Sequence, residues 1–382
     1  MSASAKIARV ETFPVVYPTR GRFKFFEDIH GRPLGRQTVL VKITTDGGLV
    51  GWGQSVPVPT WSYETLETAL STLNQYLAPA LIGRDVSDIG GIHAVMNRVI
   101  ASSFSIGQPI CKAGIDLALH DLVGKLQGKS LAQLWNRRGL ARIEVGYTLN
   151  PTSVGDLEAS VQAGLKAGYR HFNIKVAPNP AVDLEMCRCL KQLVPDSFLW
   201  ADANGGYDES TALEVAPKLA EAGVAVLEQP LPANRLGGYR RLKKLGAIPI
   251  IMDEGVVSAV ELEEFIRLEL LDGVAIKPPR SGGLWEARRQ IELAMAEGLL
   301  VLGSGLTDPD ISLAASLGLF GAYQLAKPAA LNGCQFLAAS VLKQPFAPCN
   351  GFLEVPQGPG LGVEVDEELL PEGPHFMLEA AA

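Results

Sequence analysis

The stretch that decides the fold runs from Lys175 to Lys277: HFNIK at residues 171–175, FLWADAN at 198–204, VAVLEQP at 224–230, PIIMDEG at 249–255 and GVAIK at 273–277. Each contains a short apolar run closed by one charged residue, in turn Lys175, Asp202, Glu228, Asp253 and Lys277. The charges recur at steps of about 27, 26, 25 and 24 residues, the length of one strand–helix unit. So regular a step predicts five consecutive strands of a repeating parallel architecture, each presenting a charged side chain at its C-terminal end. Three carboxylates flanked by two amines make a metal site with a base on either side.

Working outward, the same alternation extends in both directions. Strands are expected at 143–148, 171–176, 197–202, 224–228, 248–252, 272–277 and 299–303, and a short eighth near 328–332. Helices are expected between them at 154–167, 181–193, 209–222, 237–245, 257–267, 283–297 and 309–320. That pattern is an α/β fold, a (β/α)8 TIM-type barrel over residues 141–339 with its site at the C-terminal strand ends. A doubly wound open sheet would gather its ligand residues at one switch point instead of spreading them over five strands.

Residues 1–140 read differently. KIARVETFPVVY (6–17) and TVLVKITT (38–45) alternate like antiparallel strands, with Asp46-Gly47 as a hairpin signal. Helical spacing follows at 63–83, 87–100 and 109–137. Strands first and helices after is an α+β arrangement, expected to cap the barrel together with a tail over 340–382. Loops near 20–32 and 53–64 carry Phe23, Phe25, Phe26 and Trp61 and read as lids whose rings close over a substrate. Plain packing of those rings is the competing reading.

Composition excludes several classes. Of the 382 residues 47% are hydrophobic, which supplies a large core, and the net charge is −7. No basic cluster appears, which argues against nucleic acid or an anionic membrane as partner. No apolar run reaches about 18 residues and the start lacks a signal-peptide pattern, so a cytoplasmic enzyme is expected. The five cysteines are odd in number and without metal spacing, and read as buried thiols.

The chemistry follows from the charges. Three hard oxygen ligands without His or Cys suit an octahedral Mg2+, or Mn2+ in its place, and disfavour zinc. Strands two and six of a closed barrel face each other, so Lys175 and Lys277 flank a bound substrate and can take a proton on one side and return it on the other. A divalent ion ~6 Å from an ammonium repels it by roughly 5 kcal/mol at an effective dielectric of ~20, enough to bring a lysine towards neutrality. Further candidates are Glu254 beside Asp253 and Asn204 beyond Asp202, as partners of the site, and Ser304 and Thr307 after the seventh strand, with Thr307 equally readable as a helix cap.

The α+β cap, the helix AGIDLALHDLVGKLQGKSLAQLW, the three acids, the two lysines and the tail GPGLGVEVDEEL together resemble the enolase superfamily, and within it the muconate lactonizing enzyme subgroup. The resemblance implies abstraction of the proton α to a carboxylate through an enediolate, and symmetric dimers or octamers. A racemase or epimerase of a small amino-acid-derived carboxylate is the first expectation. A cycloisomerase or dehydratase is the alternative, and a catalytically silent binding protein the reading from another class. Two departures stand out. The subgroup's Lys-x-Lys is here Asn173-Ile174-Lys175, and the eighth strand, where dipeptide epimerases carry Asp-x-Asp, reads ALNGCQFL (330–337).

Overall fold

A computed structural model describes residues 5–21, 23–28, 30–102 and 105–380, with Lys24 by its backbone only. Residues 22 and 29 of the expected lid at 20–32 lie outside this set.

The alternating part of the sequence forms a curled parallel sheet of 7 strands in chain order: Tyr147–Leu149, Phe172–Lys175, Leu199–Asp202, Val226–Glu228, Ile250–Met252, Gly273–Ile276 and Leu300–Gly303. Amphipathic helices cover its outside, and their starts follow from local chemistry. Ser153, Asn179 and Asp208 accept from backbone N–H groups of the first turn, and Ser258 forms a capping box with Glu261, supplying the partners that a helix N-terminus lacks. Inside, Trp200, Val226, Ile251, Ala275, Leu302 and Ala330 pack as one layer, closing the barrel beneath the strand ends.

The first and eighth strands differ from expectation. The run at 143–148 is divided: Arg142–Glu144 pairs antiparallel with Phe352–Glu354 of the tail, and only Tyr147–Leu149 joins the barrel. The eighth position is reduced to two parallel bridges, Val145 with Ala329 and Ser304 with Ala330. Lys327-Pro328 precedes it, and proline donates no ladder hydrogen bond. Hydrogen bonds from Ala329 N to Glu144 O at 2.9 Å and from Ala330 N to Gly303 O at 2.8 Å nevertheless close the ring.

The cap is a 4-stranded antiparallel sheet in which Phe376–Glu379 flanks Ile7–Tyr17, followed by Arg36–Thr45 and Val50–Ser55. Its helix Pro109–Gln127 is buried from Pro109 through Gly124 because it lies between cap and barrel. It stops at Gly128, whose φ of 62° gives the left-handed C-terminal turn, short of the expected 137. Asp116 on this helix, fully buried, accepts from Leu284 N at 2.5 Å and Trp285 N at 3.3 Å. The cap thereby holds the start of the helix that follows the sixth barrel strand. No helix among the described residues is long and apolar enough to cross a membrane.

Candidate active site

Strand register assembles the charges. Lys175 pairs with Asp202 and Asp202 with Glu228, so three strand ends sit level. Glu228 pairs with Ile251, and Asp253 is two residues further on; Val274 pairs with Met252, and Lys277 follows three later. The stagger is that of tilted barrel strands. Because side chains alternate across a strand, all five charged groups face inward.

Asp202, Glu228 and Asp253 are buried, and each offers one oxygen within 4.8 Å of the others. Their partners fix them. Asp202 receives Asn204 N at 2.9 Å and an ion pair from Lys175. Glu228 Oε2 accepts from Trp200 Nε1 at 2.6 Å, and its Oε1 is buried without a partner. Asp253 pairs with Lys277 Nζ at 2.6 Å and with Arg280. Gln229 Oε1 accepts from Asp253 N at 3.0 Å and Gly255 N at 3.1 Å, holding the turn that carries Asp253.

Electrostatics point the same way. Burial and then the neighbouring carboxylates of Asp202 and Asp253 push the Glu228 carboxyl well above the usual range. Burial opposes the charge on Asp202, but Lys175 and Lys277 outweigh it and hold Asp202 low. Burial likewise works against the Lys175 ammonium, yet Asp202 and Glu228 outweigh it and raise Lys175. Burial and Asp253 raise Glu254 to about 7. Acids crowded enough to force one towards neutrality, with an orphaned inward oxygen, fit a small oxygen-liganded cation. Such a cation would also remove the excess negative charge that holds the Lys175 proton in place.

Over these groups lies a small cavity. Phe23, Phe25, Phe26 and Trp61 form its apolar side, and Lys175, Lys277, Asn204, Thr307 and Asn332 its polar side. The expected lid loops therefore meet over the strand ends, joined by Thr60 Oγ1 donating to Phe25 O at 2.9 Å. Lys175 Nζ lies 5.8 Å from the Phe25 ring centre and Lys277 Nζ 4.8 Å from that of Trp61. Phe23 stacks on Phe336 at 4.3 Å. Asn204, Gln229 and Thr307 have φ of 45°, 38° and 53°, a clustering of left-handed backbone of the kind that gathers at functional sites.

The remaining expected residues fall around this centre. Asn204 Nδ2 bridges Asp202 Oδ2 at 3.2 Å and Glu254 Oε1 at 3.1 Å. Asn173 stands one pleat deeper than Lys175, with Nδ2 3.5 Å from Trp200 O. Ser304 is buried beneath the mouth, bridged to Ala330, while Thr307 reaches the cavity and Pro309 takes the N-cap position of the next helix. Trp200 and Gln229 were not anticipated, nor were the contacts of Arg280 and Asn332. Trp200 carried a signal: it lies two residues before Asp202 and so on the same face of the strand.

The N-terminal domain model of the mandelate racemase and muconate lactonizing enzyme family matches residues 33–135, and the enolase C-terminal domain-like model matches 156–369. The chain belongs to this family, within the enolase superfamily. Among family members, a chloromuconate cycloisomerase of Cupriavidus necator is 31% identical over 374 residues, 95% of this chain and 97% of that one. The crystal structure of 2-chloromuconate cycloisomerase from Rhodococcus opacus 1CP superposes with a TM-score of 0.86 at 29% identity, covering 96% of this chain and 98% of that one. An N-succinyl-L-Arg/Lys racemase of Bacillus cereus is 27% identical over 375 residues, 96% of this chain and 97% of that one. As a member of the enolase superfamily, this is a metal-dependent enzyme of the isomerase class.

Proposed function

We propose that the enzyme isomerises a small carboxylate through an enediolate, with Lys175 and Lys277 as its acid/base groups and Asp202, Glu228 and Asp253 as ligands of Mg2+ or Mn2+. The observation that carries this reading is the inward row of three acids, each within 4.8 Å of the others, bounded at both ends by a lysine that lines the same cavity. A divalent ion held there supplies positive charge that stabilises the negative charge developing on the substrate carboxylate. The rest falls to the chain. Lys175 and Lys277 stand on opposed strands and address the α-carbon from its two faces. Trp200 and Gln229 keep Glu228 and Asp253 oriented, and Arg280 shares Asp253 with Lys277. The aromatic lid keeps water from the carbanion.

Cycloisomerisation is the outcome best supported by the relatives, several of which are muconate or chloromuconate cycloisomerases. For this chain such an outcome would have a nucleophile within the substrate add to a double bond conjugated with the carboxylate, while a lysine protonates the α-carbon. Racemisation or epimerisation, the first expectation from the sequence, has the support of the Bacillus cereus relative and of the facing lysines. Incubation with Mg2+ in heavy water, followed by NMR of muconates and N-acylamino acids, separates them. Ring closure with one deuterium incorporated marks cycloisomerisation; α-exchange with inversion marks racemisation. No metal-dependent change at any α-carbon would refute the reading.

A further inference from the structure

Arg36 opens the strand Arg36–Thr45 and is among the largest fully buried side chains of the protein, 1% exposed. Burial pulls the guanidinium down to about 10, against the pull of the buried Asp308 carboxylate, so it is charged at neutral pH. Its fork is met by backbone carbonyls. Nη1 donates to Pro57 O at 2.6 Å and Gln37 O at 3.1 Å, and Nη2 to Val56 O at 2.7 Å. Nε is buried without a partner. A charge buried this deeply, with one N–H unsatisfied, costs more than an apolar side chain of similar volume. Packing alone does not account for it.

What Arg36 touches does. Val56 and Pro57 belong to the 53–64 loop, whose two ends are stapled to the cap helix: Ser55 Oγ donates to Ile110 O at 2.9 Å, and Glu64 accepts from Ile110 N and Cys111 N at 2.7 Å each. Arg36 adds a hold between those ends. On its other side the guanidinium carbon lies 5.5 Å from the centre of the Phe26 ring, within cation–π reach. Phe26 belongs to the 20–32 loop and packs with Phe23 and Phe336. Asp308, which acts on Arg36 through space, follows Thr307 in the loop after the seventh strand, and Thr307 lines the cavity. Three walls of the cavity therefore meet at one side chain. A further bond between the two lids, Thr60 to Phe25, is neutral and exposed, whereas charge-assisted bonds are roughly twice as strong as neutral ones.

We infer that Arg36 is a positioning residue of the active site: it fastens the 53–64 loop to the 20–32 loop, so that the rings of both lids close over the lysines as one wall. It acts through the loops and not on the reacting atoms. The inference rests on the reading of this cavity as an active site. Its test is made without turnover, so absence of isomerase activity refutes that reading, while the behaviour of the lids decides this one.

The test is amide hydrogen exchange resolved to single residues, on the full chain with Mg2+ and no substrate. The amides of Trp61 and Ser62, which donate to Val58 O at 3.1 and 2.7 Å, report one lid. Those of Phe26 and Leu34, which donate to Phe23 O at 3.0 Å and Phe26 O at 2.8 Å, report the other. Arg36→Met keeps an unbranched stem and should speed exchange at all four by about tenfold or more, while the cap helix Pro109–Gln127 exchanges as in the wild type. Arg36→Lys, which keeps the charge and loses the fork, should do the same, and it decides the matter if Arg36→Met does not fold. Phe26→Leu should speed exchange at Trp61 and Ser62 on the opposite lid, and add little to either Arg36 variant. A spectroscopic readout accompanies these. With 5-fluorotryptophan incorporated, the fluorine resonance of Trp61, identified by its loss in Trp61→Phe, should move in the Arg36 variants while that of Trp200 stays. Unchanged exchange at the four amides, acceleration confined to one lid or spread through the cap helix, an unmoved Trp61 resonance, or a Phe26→Leu effect that adds in full to an Arg36 variant overturns the inference.

Discussion

Replacing Trp200 by Phe isolates one hydrogen bond at the centre of the site. The indole N–H donates to Glu228 Oε2 at 2.6 Å, and Glu228 Oε1 has no other partner. Phenylalanine keeps an aromatic ring in the interior layer with Val226 and Ile251 but removes the donor. A hydrogen bond to a charged acceptor contributes about 1.5–3 kcal/mol, and with tenfold per ~1.4 kcal/mol its loss predicts a fall in metal affinity of about 10- to 100-fold, the range seen when a partner of a metal ligand is removed. Mn2+ titration followed by electron paramagnetic resonance measures this directly, with circular dichroism as a control that the barrel is intact. Unchanged Mn2+ affinity in a folded Trp200→Phe protein would mean that Glu228 is not a ligand held by this bond.

Other consequences are equally measurable. Arg280→Met leaves Asp253 to Lys277 alone, and should change the metal Kd and the acidic limb of the pH–rate profile while leaving the far-ultraviolet spectrum as it is. Gly333→Ala forces a carbon to within 2.0 Å of Asp308 O, and should raise KM tenfold or more, or lower the melting temperature by several degrees; no change in either would show that the mouth yields freely. Glu64 is raised to about 7 by burial, against the opposing hydrogen bonds from Ile110 and Cys111 N–H. Because its folded pKa exceeds the unfolded one, its contribution to stability is complete below pH ~4.5 and is lost as pH rises through 7. Relative to Glu64→Gln, the wild type should therefore lose on the order of 3 kcal/mol across that window in urea unfolding, and parallel curves would contradict this.

The centre of the fold was legible because each of the five barrel strands from the second to the sixth leads into a charge after an apolar run, and two independent signals, spacing and strand character, agree there. The edges were less so. A continuous run at 143–148 gave no sign that Arg142–Glu144 would leave the barrel to pair with Phe352–Glu354, since that partner is some 200 residues away in sequence and strand pairing is a tertiary choice. The eighth strand leaves little trace in the sequence for a similar reason: with Pro328 in front, only Ala329 and Ala330 bridge to their neighbours. Within the site, charged residues announced themselves, whereas Trp200 and Gln229 act through hydrogen bonds, and sequence composition carries neither distance nor direction. Asn173 attracted attention as a departure from the family motif, yet it stands behind Lys175 against Trp200. The departure that reaches the cavity is at Asn332.

The division of labour between the two lysines is the most direct test of the whole account. In heavy water with Mg2+, each enantiomer of a substrate with an α-hydrogen presents that hydrogen to one lysine only. Lys175→Ala and Lys277→Ala should therefore each abolish α-exchange for one enantiomer, by about 10²–10⁴-fold, and leave the opposite enantiomer exchanging. Loss of opposite hands in the two variants is the predicted result, and exchange of both enantiomers by both variants would contradict it.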